Sequence, residues 1–374
     1  MTKHGRPRLL AVCTLPPWPP TNGYSLRVSH LLGELAQRWA ITLVAPPGSV
    51  PPEVADHVPV PLQGSGVTYP WRFDPSDLTA TVLRVVESVR PDKALVWSGV
   101  EAVWFGRPHL PPAVVDVIDC NPLEFWRGIW SYRDPRQRLR CLAEMPVAIR
   151  FARRTVRSFT ATVCVGEDDA RWLRLLGGRD RVHVVPNGVD VPPDEALFTE
   201  APRPTLVFTG TLDFQPNIDA AVFAVRSIWP RILAAAPAAR FVIAGRNPGP
   251  ELNAFAGHQN IELVPDVPDM VPILGRSWVA IAPMRTGVGV KNKVLEAWAC
   301  ARPVVMTKLA TNGLTVPPEH RRLVCRNAEH MADAVLGLFD DPVERHRLGR
   351  FARANVLRTA TWLDAAQRLD ALLR

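Results

Sequence analysis

Apolar residues recur along the chain in two alternating rhythms. Apolar runs of strand length lie at residues 8–13, 41–45, 94–97, 114–118, 161–165 and 182–185. Helical patterns separate them; residues 25–38 set Leu31, Leu32 and Leu35 on one face. Strands that alternate with helices predict parallel βαβ units and a doubly wound sheet. A rigid loop follows the first run, built from Pro16, Pro17, Pro19, Pro20, Asn22 and Gly23. The alternation stops at Val191, where Pro192, Pro193, Asp194 and Glu195 read as a linker, and then restarts. Strand-like runs return at 205–209, 240–244, 261–264, 279–282 and 303–306. Helical patterns return at 218–236, with Pro230 inside, and at 291–301, 328–340, 342–358 and 362–373. The pattern predicts two α/β domains in tandem, and 374 residues suit two domains.

Composition narrows the class. With 47% hydrophobic residues the chain is neither disordered nor fibrous. No apolar stretch approaches the ~18 residues that span a bilayer. Residues 9–15 are apolar, run into prolines and lack a small-residue cleavage site, so they read as a first strand, not a signal peptide. The cysteines at 13, 120, 141, 164, 300 and 325 form no C-x-x-C pair and no ligand spacing with histidine. A reduced, cytoplasmic protein is expected, with no metal site. The net charge is +8, yet only five of the 44 basic residues are lysine. Most arginines then reflect a coding bias and need no individual explanation. Lys291 and Lys293, two of those five and one residue apart, stand out.

The segment around them reads APMRTGVGVKNKVLEAWACARPVVM from Ala282 to Met306. A strand ends, a turn with Gly287 and Gly289 follows, and a helix begins. Free backbone N–H groups and a positive helix terminus then meet at one spot, an anion site. Arg285 and Lys291 flank it with full charges. Glu296 stands about six residues on, so ~9 Å further along the helix axis. That spacing suits a nucleoside diphosphate, with the phosphates at the helix start and the carboxylate accepting hydrogen bonds from ribose hydroxyls. A plain strand–turn–helix with surface lysines is the alternative. Competing motifs are missing. The first strand is followed by prolines, not G-x-G-x-x-G, which disfavours a nicotinamide dehydrogenase. Neither G-x-x-x-x-G-K-[ST] nor G-x-S-x-G occurs.

The chain resembles the retaining GT-B glycosyltransferases of family 4 (group 1), with its closest look toward the exopolysaccharide-associated subgroup. The resemblance rests on PNGVD at 186–190, FTG at 208–210 followed by DFQPN at 213–217, and VIAGRNP at 242–248. It rests also on NKVLEAWA at 292–299 before RPVV at 302–305. It implies an α/β fold of two Rossmann-like domains facing a central cleft, with residues 1–190 binding acceptor, 191–203 linking, and 204–355 binding nucleotide sugar. Residues 356–374 would then cross back to the first domain. Donor contacts are implied at Asn22, Gly23, Gly210, Arg246, Val267, Gly287, Val288, Gly289, Val290, Lys291 and Glu296. The implied reaction is retaining transfer of a sugar from a nucleoside diphosphate. The leaving phosphate takes the acceptor proton, so positive charge on the leaving group matters more than a strong base, and neither metal nor cofactor is needed.

Two departures bear on the site. The family usually carries two glutamates eight positions apart; Glu296 matches the second and Val288 stands at the first. Backbone N–H groups near Gly289 and Val290 would then hold the sugar. The family also has Arg and Lys just after the Gly210 strand, where this chain has Thr211 and residues 215–217. Arg285 and Lys291 are the expected substitutes. A nucleotide-sugar epimerase of the same shape, and a non-catalytic membrane-associated scaffold, are the competing functions.

On the acceptor side, Asp119 ends the 114–118 strand and is the candidate base or polar group, with Asp116 inside the strand as its bland competitor. Arg27 lies just inside the first helix and is read as reaching the cleft on the acceptor side, with a solvated arginine as the alternative. Nine arginines lie between Trp126 and Arg157, opposed only by Asp134 and Glu144. Trp126, Arg127, Trp130 and Arg133 head this basic, aromatic region, which fits an anionic membrane or an anionic lipid-linked acceptor. A solvated helical face is the plain alternative. No motif reads nucleic acid. The expected partners are a nucleotide sugar and a glycan, lipid-linked or small-molecule acceptor, on the inner face of the cytoplasmic membrane or free in the cytoplasm.

Overall fold

The computed structural model describes residues 5–20, 22–48, 50–54, 56–60, 69–72, 74–132, 134–194, 199–258, 260–287 and 289–374. The chain divides into two compact units, Met1–Gly188 with Trp362–Arg374, and Val189–Thr361.

The first unit runs β1 (Arg8–Val12), α1 (Gly23–Ala36), β2 (Ala40–Ala45), β3 (Asp56–Pro59), α2 (Ser76–Val89), β4 (Lys93–Trp97) and β5 (Ala113–Ile118). It continues with α3 (Asn121–Ser131), α4 (Pro135–Ser158), β6 (Ala161–Cys164), α5 (Glu167–Leu173) and β7 (Val182–Val184). The sheet is parallel, in the order β3-β2-β1-β4-β5-β6-β7. Leu9, Leu10, Ala11 and Val12 are all fully buried, because helices cover both faces. That double burial is why the strand is apolar without alternation.

The second unit runs β8 (Thr205–Thr209), α6 (Gln215–Phe223), α7 (Trp229–Ala235), β9 (Arg240–Gly245), α8 (Pro250–Asn253), β10 (Ile261–Pro265), α9 (Val271–Arg276) and β11 (Val279–Ala282). Then come α10 (Asn292–Ala299), β12 (Val304–Thr307), β13 (Val324–Cys325), α11 (Ala328–Asp340) and α12 (Pro342–Thr359). Its parallel sheet is ordered β10-β9-β8-β11-β12-β13, the doubly wound arrangement. The helix expected over 218–236 forms in two pieces. A π-helical stretch, Ala224–Ile228, joins α6 to α7 and places Pro230 in the first turn of α7. There a missing N–H costs no hydrogen bond.

Two boundaries differ from the sequence reading. Residues expected to form a linker are strapped to the second unit. Arg353 donates to the Pro192 carbonyl at 2.6 Å and to Asp194 at 2.7 Å. Glu200 takes Arg302 at 2.8 Å and Arg345 at 2.7 Å. Glu195, within the same stretch, lies outside the described residues. At the other end α12 stays with the second unit, and only α13 (Trp362–Leu373) joins the first. It packs on α1: Trp362 stacks on His30 at 4.7 Å, and Trp39 Nε1 donates to Asp370 at 2.7 Å. Among the described residues no helix is long and apolar enough to cross a membrane.

His320 is fully buried beside Trp298, at 5.6 Å between ring centroids. Among the described residues neither of its ring nitrogens has a hydrogen-bond partner. Burial pushes its pKa down to about 4. The unfolded chain then binds the proton first, so stability is complete above the ordinary histidine value near 6.5 and is lost as pH falls toward 4. The loss amounts to about 3 kcal/mol. His320→Phe is expected to flatten this acid limb in melting curves taken between pH 4 and pH 7; an unchanged limb contradicts the assignment.

Candidate functional site

The strand order of the second unit reverses between β8 and β11. Open parallel sheets bind ligands beyond the carboxyl ends of their strands at such a point. Gly210 follows β8 with φ +155°, and a Cβ there would come within 2.8 Å of Lys293 Nζ and 2.9 Å of Asn217 Nδ2. Position 210 is glycine because those two side chains occupy the space. Lys293 donates to Asn217 Oδ1 at 2.8 Å and stands 4.1 Å from the centroid of the Phe208 ring. Asn217 donates in turn to the Thr211 carbonyl at 2.8 Å. So the residues at the places where the family carries Arg and Lys form the seat of a lysine that arrives from α10. Burial pushes Lys293 down to about 7; Glu296 opposes that shift and Lys291 adds to it.

The turn before α10 needs glycine twice, with φ +100° at Gly287 and +71° at Gly289. Lys291 is the residue that caps α10, is buried, and folds its ammonium back onto the Gly289 carbonyl at 2.8 Å. Val290 packs against the domain core. Glu296 lies one turn beyond Lys293 on α10, where burial and the Asp190 carboxylate raise its pKa and Lys293 lowers it. Lys291, Lys293 and Glu296 thus gather on one turn and helix, beside Gly210 and Asn217. Val288 lies outside the described residues.

Arg285 is engaged elsewhere. It pairs through both donors with Asp219 of α6, Nε at 3.0 Å, and lies 4.6 Å from the centroid of the Phe223 ring. Its charge is already matched by a carboxylate, whereas Lys293 faces an amide oxygen. Nearby, the loops after β8, β9 and β10 are tied together. The Asn247 N–H donates to Asp266 Oδ1 and its side-chain amide to Asp213, both at 3.0 Å. The Arg246 carbonyl accepts from the Leu212 N–H at 2.7 Å, and Val267 is half-buried against the core.

In the first unit, Asn22 caps α1. Its side chain accepts from the Ser25 N–H at 2.9 Å, while Ser25 Oγ accepts from the Asn22 N–H at 3.0 Å. Gly23 opens the helix. Asp119 follows Ile118, a β-branched residue held at φ +60°, and its N–H donates to the Val117 carbonyl at 2.7 Å. That tight turn strains the backbone directly before Asp119, at the carboxyl end of β5.

Arg27 corrects the sequence reading. It lies on no surface: it is fully buried, ion-paired through Nε to Asp116 at 2.7 Å, and its Nη1 donates to Asn187 at 2.8 Å. It belongs to the core of the first unit and leaves the acceptor-side group. Trp126 and Trp130 of α3 are exposed, and Arg127 pairs with Asp168 at 2.7 Å. Arg133 lies outside the described residues. Sequence reasoning placed both clustered lysines near a phosphate but named only Lys291 as a ligand. It missed Asn217 and Asp219 as their neighbours' partners; the scarcity of lysine was the available signal for Lys293.

Family comparisons agree with this architecture. Residues 22–188 match the "Glycosyl transferase 4-like domain" model and residues 203–341 the "Glycosyl transferases group 1" model. The two matches take in most of the chain, which belongs to the glycosyltransferases built from these two domains. No curated protein matches the sequence. Among solved structures, HepE of Anabaena in complex with UDP and glucose is 13% identical, with a TM-score of 0.64, covering 98% of this chain and 99% of its own. WaaG, a glycosyltransferase involved in lipopolysaccharide biosynthesis, is 11% identical with a TM-score of 0.69 and coverages of 98% and 99%. TarM is 13% identical with a TM-score of 0.60; it covers 79% of this chain, which spans 58% of TarM. At these identities the likeness establishes the fold, GT-B.

Proposed function

We propose that the protein transfers a sugar, with retention of configuration, from a nucleoside diphosphate to a hydroxyl of a glycan, lipid-linked or small-molecule acceptor. The observation that carries this reading is the gathering of two lysine ammoniums and one carboxylate where the second sheet reverses its strand order. The N–H groups of the glycine turn and Lys291 hold the diphosphate, with Lys293 as the second cation in place of Arg285. Glu296 takes the ribose hydroxyls. The backbone at Gly289 and Val290 holds the sugar, and the loops at Arg246 and Val267 border the base. As the glycosidic bond breaks, negative charge grows on the departing diphosphate, and fixed lysines stabilise it without a metal. That phosphate accepts the acceptor proton. The complexes of HepE with UDP and with UDP-glucose make uridine diphosphates the first donors to try.

A thermal-shift screen of UDP-, GDP- and dTDP-sugars tests the reading. A ligand at 100 times its Kd stabilises by about 2.7 kcal/mol. Glu296→Gln is expected to weaken the preferred nucleotide about tenfold or more, the worth of a charged hydrogen bond, while inorganic pyrophosphate binds as before. Equal weakening of both ligands removes Glu296 from the ribose. Turnover is expected to persist in EDTA. A protein that binds no donor is a scaffold instead.

A further inference from the structure

In the first unit α3 and α4 are consecutive helices packed on each other, and neither carries a residue of the proposed donor site. Trp130 is 70% exposed, Leu139 67% and Leu142 54%. Trp126, one turn before Trp130, is also exposed and meets it edge-on at 5.9 Å. Soluble surfaces rarely hold two tryptophans and two leucines so openly around one helix joint. On α4, Leu139, Leu142, Pro146 and Val147 share one helical face by spacing, and all are exposed.

Charge surrounds these side chains. Seven arginines lie on α4, all exposed, and among the described residues none of the seven is in a salt bridge. Glu144, the one carboxylate on α4, is buried and turned to Trp71 and Arg72 of the same unit. The face therefore combines apolar side chains of interfacial type with guanidiniums that form no salt bridge among the described residues; Arg140 and Arg154 also lie over the Tyr69 and Phe105 rings. A second copy of the chain does not fit it: a two-fold contact would press the arginines against their own copies. A bilayer rich in anionic phospholipid fits both components. Tryptophan and leucine enter the boundary of headgroups and acyl chains, and the arginines near the surface are drawn to the anionic headgroups.

We propose that the joint of α3 and α4 is a membrane-docking surface, seating the first unit on anionic phospholipid through Trp126, Trp130, Leu139 and Leu142, with the α4 arginines on the headgroup phosphates. The surface stands independently of the sugar-transfer reading, because vesicle binding is read without donor or turnover. The test is flotation of the full chain with vesicles of phosphatidylcholine alone or mixed with phosphatidylglycerol. Binding is expected only to the mixed vesicles. It should weaken about tenfold or more as salt rises from about 0.1 M to about 1 M, where the Debye length falls from about 10 Å to about 3 Å. Trp130→Ala/Leu139→Ser/Leu142→Ser, with an unchanged circular dichroism spectrum, should lose binding. Arg136→Gln/Arg138→Gln/Arg140→Gln gives a second reading should the first variant fail to fold, and is expected to lose preference for the anionic lipid. Equal binding to both vesicle types, no binding to either, full binding by the first variant when folded, or a dimer in sedimentation equilibrium that dissociates in it overturns the proposal.

Discussion

Lys293→Met is expected to lower turnover about 10²–10³-fold, the loss typical of removing one preorganised donor from developing charge. The substitution keeps the length of the side chain and its contact with Phe208, so folding should survive. The expectation follows from the seat that the chain builds for this ammonium. Gly210 clears the volume, Asn217 supplies an oxygen, and among the described residues no carboxylate is hydrogen-bonded to it. Held down to about 7, Lys293 is about half charged at neutral pH in the free protein, and a bound diphosphate draws the proton back. Donor affinity should therefore fall as pH rises above about 7, by up to about tenfold per unit until the pKa of the complex is reached. In Lys293→Met that limb of the profile should vanish. A wild-type profile that is flat from pH 6.5 to pH 9, or the same slope in the variant, separates Lys293 from the diphosphate. Arg285→Gln, by contrast, breaks a partly exposed pair with Asp219 and should change donor affinity little.

Arg27→Met is expected to destabilise the first unit by about 3–5 kcal/mol, because it leaves Asp116 buried and charged without its partner. Asp116→Leu should cost a comparable amount, since it leaves Arg27 buried without its partner. The double variant Arg27→Met/Asp116→Leu should recover much of the loss, since an apolar pair needs no compensation. Melting temperatures of the four proteins check this. Equal and additive losses in the double variant would show that the two side chains do not act as a pair. The pair matters beyond packing: it fastens α1 to β5 and, through Asn187, to the chain at the end of the unit.

Much of this was legible in the sequence because parallel strands covered on both faces announce themselves as unbroken apolar runs. The edges were less legible. β3 reads Asp-His-Val-Pro, half-exposed at the rim of its sheet, and carries no such run. The two-residue strand β13 is too short to leave a pattern. At the site, the glycine turn, Lys291 and Glu296 were visible because spacing along one helix is local. The pairing of Arg285 and the seating of Lys293 were not, since they depend on Asp219 and Asn217, which lie 66 and 76 residues away in sequence. Arg27 misled for the same reason: an arginine near a helix start looks solvated until a buried aspartate 89 residues on is brought against it.

The most direct test of the central claim is calorimetric titration of UDP, GDP and dTDP into the full chain and into Lys291→Ala/Lys293→Met. The account predicts saturable binding of at least one nucleotide to the native protein, weakened about a hundredfold or more in the variant, as loss of two charged contacts requires. Equal affinity in both proteins, or no heat from any nucleotide, contradicts it.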